Sequence, residues 1–156
     1  VIIMSKQGII LSSLPSGVNS YTRIGSAAKT SNSTITASTW SPITFSTIIE
    51  NTNANYDGTK YEVLNSQQGM YSISTAVVFT SVTNGNRYIV SIYKNNLLEI
   101  ILGRGTAGST NLQGVGGNAK IYLEEGDIIE IRAYCDNTTA AYSTPGYNSF
   151  SCYKMP

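Results

Sequence analysis

Met70-Tyr71-Ser72-Ile73-Ser74-Thr75-Ala76-Val77-Val78-Phe79 is the stretch whose pattern decides the fold. Tyr71, Ile73, Val77 and Phe79 fall on one side of an extended chain and small residues on the other, the period-two signature of a strand with one face in a core. Asn84-Gly85 follows, a dipeptide suited to positive φ. Arg87 to Lys94 then alternates again through Tyr88, Val90 and Ile92, so a hairpin is expected here. A second turn at Asn95-Asn96 leads into Leu97-Leu98-Glu99-Ile100-Ile101-Leu102, which reads as a strand buried on much of both faces.

Working outward, Gly103 to Gly117 is dominated by Gly, Ser and Thr, the composition of a long exposed loop. Regular structure resumes at Ala119 to Leu123. It turns at Glu124-Glu125-Gly126-Asp127, where the Asp side chain is expected to bond its own downstream backbone. Ile129, Ile131 and Ala133 then alternate against Ile128, Glu130, Arg132 and Tyr134. A loop from Asp136 to Tyr147 precedes a closing strand near Phe150 to Met155, and shorter extended pieces are expected around 33–45 and 61–64. About eight strands at short spacing, with no helical periodicity, predict an all-β, two-sheet antiparallel sandwich or jelly roll. Residues 1–25 read as an N-terminal arm or stalk end, and 26–156 as the globular head.

Composition narrows the function. Charged residues are 12% of the 156, with ten Lys/Arg against nine Asp/Glu and no basic run, so no surface built to track nucleic-acid phosphates is expected. No apolar run approaches the ~20 residues of a spanning helix, so no membrane insertion is expected. The start at Val1-Ile2-Ile3-Met4 reads as a piece of a longer chain. Low charge with eleven tyrosines points to surface covered by neighbouring subunits. The chain has no histidine, which removes Ser-His-Asp, Cys-His and histidine-metal chemistry. Glu124, Glu125 and Asp127 sit in a turn without a cleft, so no enzyme activity is expected. Gly103, Gly105 and Gly108 spell a dinucleotide fingerprint, but the residues after them cannot build the helix whose N-terminus would hold the pyrophosphate. Cys135 and Cys152 fit either small buried side chains or one bridge. No cofactor is expected, although Asn51, Asn53, Asn55 and Asp57 form an oxygen-rich loop of the kind that can hold calcium.

The order of features resembles the C1q/tumour-necrosis-factor-like jelly roll. It is carried by Thr39-Trp40 before Ile43-Thr44-Phe45, Tyr56-Asp57-Gly58, Gly69-Met70-Tyr71, Asn84-Gly85, Leu123-Glu124-Glu125-Gly126-Asp127 and Ser149-Phe150-Ser151-Cys152. Met70 and Ile73 stand where that family often has more aromatic residues, and no collagen-like repeat is present. The resemblance is therefore to the bacterial and bacteriophage members at the ends of tail fibres, tailspikes and collagen-like proteins. It implies a homotrimer located outside the cell, on a virion tail or bacterial surface fibre, whose partner is a cell-surface glycan or polysaccharide. A trimerisation cap without ligand and a binding module of a larger depolymerase are the alternatives. The expected subunit contact is the small-sided strand face Met70, Ser72, Ser74, Ala76 and Val78. The expected ligand contacts lie in the loops: Tyr142, Tyr147 and Tyr56, whose flat rings suit sugar faces, with Asn137, Asp136 and Arg104 as polar partners.

Overall fold

The structure, a computed structural model, describes residues 21–22, 34–46, 55–144 and 146–155. Among the described residues eleven strands follow in order: β1 (Tyr21–Thr22), β2 (Thr34–Ile35), β3 (Ser41–Pro42), β4 (Lys60–Glu62), β5 (Gly69–Thr80), β6 (Arg87–Lys94), β7 (Leu97–Thr106), β8 (Leu112–Leu123), β9 (Ile128–Cys135), β10 (Thr139–Ala141) and β11 (Ser149–Lys154). They form two antiparallel sheets. In the first, β5 is flanked by β8 on one side and by β11 and β10 on the other, with β1 beyond β11 and β2 beyond β10. In the second, the order is β3-β9-β6-β7, with β4 also on β9. The expected two-sheet jelly-roll sandwich is the fold found. Tyr21 and Thr22 pair with Tyr153 and Cys152; the other residues of the expected arm lie outside the described ones.

The alternation in β5 does what its pattern dictates. Tyr71, Ile73, Val77 and Phe79 are fully buried, while Ser72, Ser74, Ala76 and Val78 stay half-exposed on the outer face. Across the core they meet Tyr88, Val90 and Ile92 of β6 and Ile129, Ile131 and Ala133 of β9. Aromatic rings lock the two layers: Phe79 against Tyr88 at 5.0 Å, Tyr61 against Tyr71 at 5.9 Å and Phe45 against Phe150 at 5.6 Å. Thr75, buried in the same strand, is made tolerable by donating its hydroxyl to the Ser149 carbonyl at 2.7 Å. Cys135 and Cys152 are buried and unpaired, one in each sheet.

Four local expectations are corrected. Asn84-Gly85 does not close a hairpin, because β5 and β6 lie in different sheets; its turn carries the chain across the sandwich, and Gly85 N–H donates to the Ala107 carbonyl instead. The true hairpin is β6–β7, whose turn residues Asn95 and Asn96 both take positive φ. Leu97 to Ile101 is not buried on both faces but exposed along its length. The Asp136–Tyr147 segment is not one loop, since β10 within it pairs with β2 and β5. Finally, Asp127 bonds upstream: its carboxylate accepts the Glu124 N–H at 2.7 Å, Asn95 Nδ2 at 2.7 Å and Lys94 Nζ at 2.8 Å. Burial alone would raise its pKa, but these donors outweigh it and hold the group below the ordinary carboxylate range. The β8–β9 turn is thereby tied to the β6–β7 turn.

The Gly103–Gly117 segment is the largest departure from expectation. Only residues 107–111 connect the strands; the rest belongs to β7 and β8. There the edge strands of the two sheets press together backbone to backbone. A Cβ on Gly103 would stand 2.5 Å from the Gly116 carbonyl oxygen, and one on Gly117 would overlap the Leu102 carbonyl. Glycine is needed at these positions for contact between strands, not for loop mobility.

Candidate functional site

Two surfaces stand out, one for its exposed aliphatic side chains and one for its small-sided flatness. The first is the leading half of β7. Leu97 is 73% exposed and Ile101 50%, with Leu98 and Ile100 between them also open. Beyond Leu102 the strand is drawn against β8 by the glycine contacts. Before it, four large aliphatic side chains in five residues are left exposed by the described residues, an arrangement an edge strand normally avoids.

The second is the outer face of β11, β5 and β8. Register aligns Ser151, Ser74 and Asn118 in one row and Ser149, Ala76 and Gly116 in the next, with Val78 beside Gly114. The Ser74 and Ser151 hydroxyls bond each other at 2.6 Å. This face is therefore flat, and its rim is apolar: Met70, Tyr122 and Tyr153 are exposed at one end and Leu112 at the other. Lys120, paired in register with Ser72, is the charged residue among these rows. Met70, Ser72, Ser74, Ala76 and Val78 thus lie where the sequence places them, on one accessible outer face. The β7 aliphatics were missed as surface residues. Glu99 in the middle of the run was the available signal, since a carboxylate there opposes burial on both faces.

The expected ligand contacts divide. Tyr142 and Tyr147 come together, rings edge-on at 5.0 Å, with Tyr147 exposed and Tyr142 half-buried. Asn148 anchors their loop, accepting the Val78 N–H at 2.8 Å and donating to the Tyr142 carbonyl. Tyr56 is not a surface ring: it is buried against Phe150 at 5.5 Å and donates its hydroxyl to the Gly58 carbonyl at 2.5 Å, and burial drives its pKa upward. Asn137 is turned to structural use, its carbonyl accepting the Tyr88 hydroxyl at 2.5 Å and Asn86 Nδ2 at 3.2 Å. Asp136 is clasped by Arg87, whose side chain and backbone N–H keep the carboxylate below its ordinary range. Arg104 lies on β7 opposite Ile89, not in a loop, and is exposed. Of the six residues, Tyr142 and Tyr147 alone form one accessible pair.

Asn51 and Asn53 lie outside the described residues. Asn55 is buried and donates to the Glu62 carbonyl at 2.8 Å, while Asp57 accepts the Thr59 and Lys60 N–H groups at 2.8 and 2.7 Å, the closed bonding of an Asx turn. Among the described residues no three His, Cys, Asp or Glu side chains gather as a metal set. Gly103 and Gly105 are strand residues, so no helix N-terminus follows them. Among the described residues, no helix is long and apolar enough to cross a membrane.

No family model matches the chain, and no curated protein matches its sequence. Solved structures do. Eiger TNF from S. frugiperda superposes with a TM-score of 0.61 at 12% identity, covering 87% of this chain and 93% of that one. The globular domain of zebrafish complement 1qA protein gives 0.59 at 13%, covering 85% and 96%. Murine APRIL gives 0.56 at 16%, covering 80% and 100%. Identities this low establish the architecture alone: the chain folds as a jelly roll of the C1q/TNF type.

Proposed function

We propose that this chain is a non-enzymatic, homotrimeric head of an extracellular fibre, of the viral tail-fibre or tailspike kind, that binds carbohydrate on a host cell surface. The observation that carries the trimer is the uncovered aliphatic run Leu97, Leu98, Ile100 and Ile101 beside a flat, small-sided sheet face. Edge and face are different surfaces. Packing the edge of one copy on the face of the next leaves one of each free in a pair, and the contacts are all satisfied only when a ring closes. Glu99 on the edge and Lys120 on the face carry opposite charges, which favours that pairing over edge with edge. Three copies is the number the C1q/TNF-like resemblance implies. The viral assignment rests on the same resemblance, and the absence of catalysis on the lack of histidine and the engagement of Asp127 in the turn.

Carbohydrate recognition is assigned to the Tyr142–Tyr147 pair, an exposed aromatic corner held by Asn148. A ring presented edge-on to another leaves one face open for a sugar, and threefold repetition raises weak single-site affinity by roughly 10² to 10⁴. On a glycan array, Tyr142→Ala and Tyr147→Ala are each expected to weaken binding by about 1 kcal/mol or more while leaving mass and melting temperature nearly unchanged. Unchanged glycan binding by both intact variants removes the pair as sugar contacts. A trimer that binds no glycan at all leaves the structural cap as the function.

A further inference from the structure

The outer face of the second sheet carries a polar groove that the assignments above leave unused. Lys60 of β4, Asn95 and Asn96 of the β6–β7 turn, and Ile128, Glu130 and Arg132 of β9 enclose about 510 Å³. Glu130 points to this outer side yet is only 7% exposed. Its carboxylate accepts Arg132 Nε at 2.8 Å and also Arg132 Nη2, and the Lys60 ammonium stands 3.8 Å away, beyond hydrogen-bond reach.

Arg132 is fixed on every side that the structure can fix it. Besides Glu130 it donates to Asn96 Oδ1, and its guanidinium carbon lies 4.2 Å from the centre of the Tyr93 ring. Tyr93 is itself backed by Trp40 at 5.7 Å, which also meets Tyr134 at 5.4 Å. A guanidinium stacked and bonded in this way has surrendered its rotamer freedom in advance, so further hydrogen bonds cost it little ordering entropy.

We infer that this groove is a second ligand site, distinct from the Tyr142–Tyr147 corner, that takes one carboxylate-bearing sugar unit. Its lining sets two cations against one carboxylate, leaving a positive charge for the ligand. Asp57 and Glu62 flank Lys60 in an adjoining cavity outside the groove, so the sugar carboxylate competes with them for the Lys60 ammonium. The sugar carboxylate meets Lys60 and the outer edge of Arg132, and the ring hydroxyls meet Glu130 and Asn96, an acceptor beside an amide as vicinal hydroxyls require. The site rests on the carbohydrate reading for its ligand class only.

The test is an amide-resolved NMR titration of the whole chain with glucuronate, glucose and acetate, repeated on Lys60→Gln and Tyr147→Ala. Glucuronate is expected to move the amides of Asn96 and of 128–132 saturably, with glucose and acetate each at least about tenfold weaker. Lys60→Gln, an exposed change, should weaken glucuronate at least about fivefold, and Tyr147→Ala should not alter it. Absence of saturable shifts at the groove, equal response to glucose or acetate, or indifference to Lys60→Gln overturns the site. Groove silence with Tyr147-dependent glycan binding rejects the groove and leaves the head; saturable groove binding with no effect of Tyr147→Ala on the glycan array rejects the corner and leaves the groove.

Discussion

Replacing Ile101 with Asp is expected to leave a folded monomer. The side chain is half exposed on the edge strand, so within one chain the change is tolerated. At the proposed subunit contact it buries a charge without a partner, at a cost of about 3 kcal/mol or more, which raises the dissociation constant over a hundredfold. Leu98→Asp, on the same exposed run, should do the same. Light scattering at micromolar concentration, beside circular dichroism showing unchanged strand content, checks both. A double variant that keeps the wild-type mass removes β7 from the interface.

Gly117→Ala is expected to be the most damaging single methyl in the chain. Its Cβ would overlap the Leu102 carbonyl, so β7 or β8 must move, and both are held by their own ladders to β6 and β5. Overpacking of this kind costs about 3 kcal/mol, enough to lower Tm by roughly 10 °C. Gly103→Ala meets the Gly116 carbonyl and should behave alike, whereas Gly108→Ala, in the connection between the strands with open space around it, should change Tm by no more than about 2 °C. Equal tolerance of Gly117→Ala and Gly108→Ala in a thermal melt would contradict the strand-crossing role.

These two predictions rest on the region that the sequence described least well. Strands facing the core were legible, because β5 writes its burial as alternation and packing follows it; in β6 and β9 the alternating apolar residues are buried as read, but Ile89, Ser91 and Tyr93 of β6 and Glu130 of β9 are buried on the other face as well. Glycine-rich composition was misleading. It signals either a loop or a close backbone approach, and only the position of β7 against β8 distinguishes the two. The run Leu97–Ile101 was misplaced for a related reason: continuous hydrophobicity marks burial without saying whether the same chain or another copy supplies the cover. Asn84-Gly85 made a turn, as its chemistry requires, but a turn does not specify that the strands it joins pair with each other.

The candidate sites were harder still, since the same residue types serve recognition and turn bonding. Asn137 and Asp136 look identical in sequence whether they face a ligand or, as found, cap Tyr88 and Arg87. Tyr56 was placed in a loop by its Asn-rich neighbours, while its ring belongs to the core through Phe150, remote in sequence. Tyr142 and Tyr147 were legible because both flank the same turn, so proximity was already local.

The proposed trimer is tested most directly by the mass of the native chain in solution. Multi-angle light scattering of the wild-type protein at micromolar concentration should return three times the 16.8 kDa of one chain, with no monomer peak on dilution to about 1 μM. A mass of 16.8 kDa under the same conditions would leave the β7 aliphatics and the small-sided face of β5 without the partner that explains them, and would contradict it.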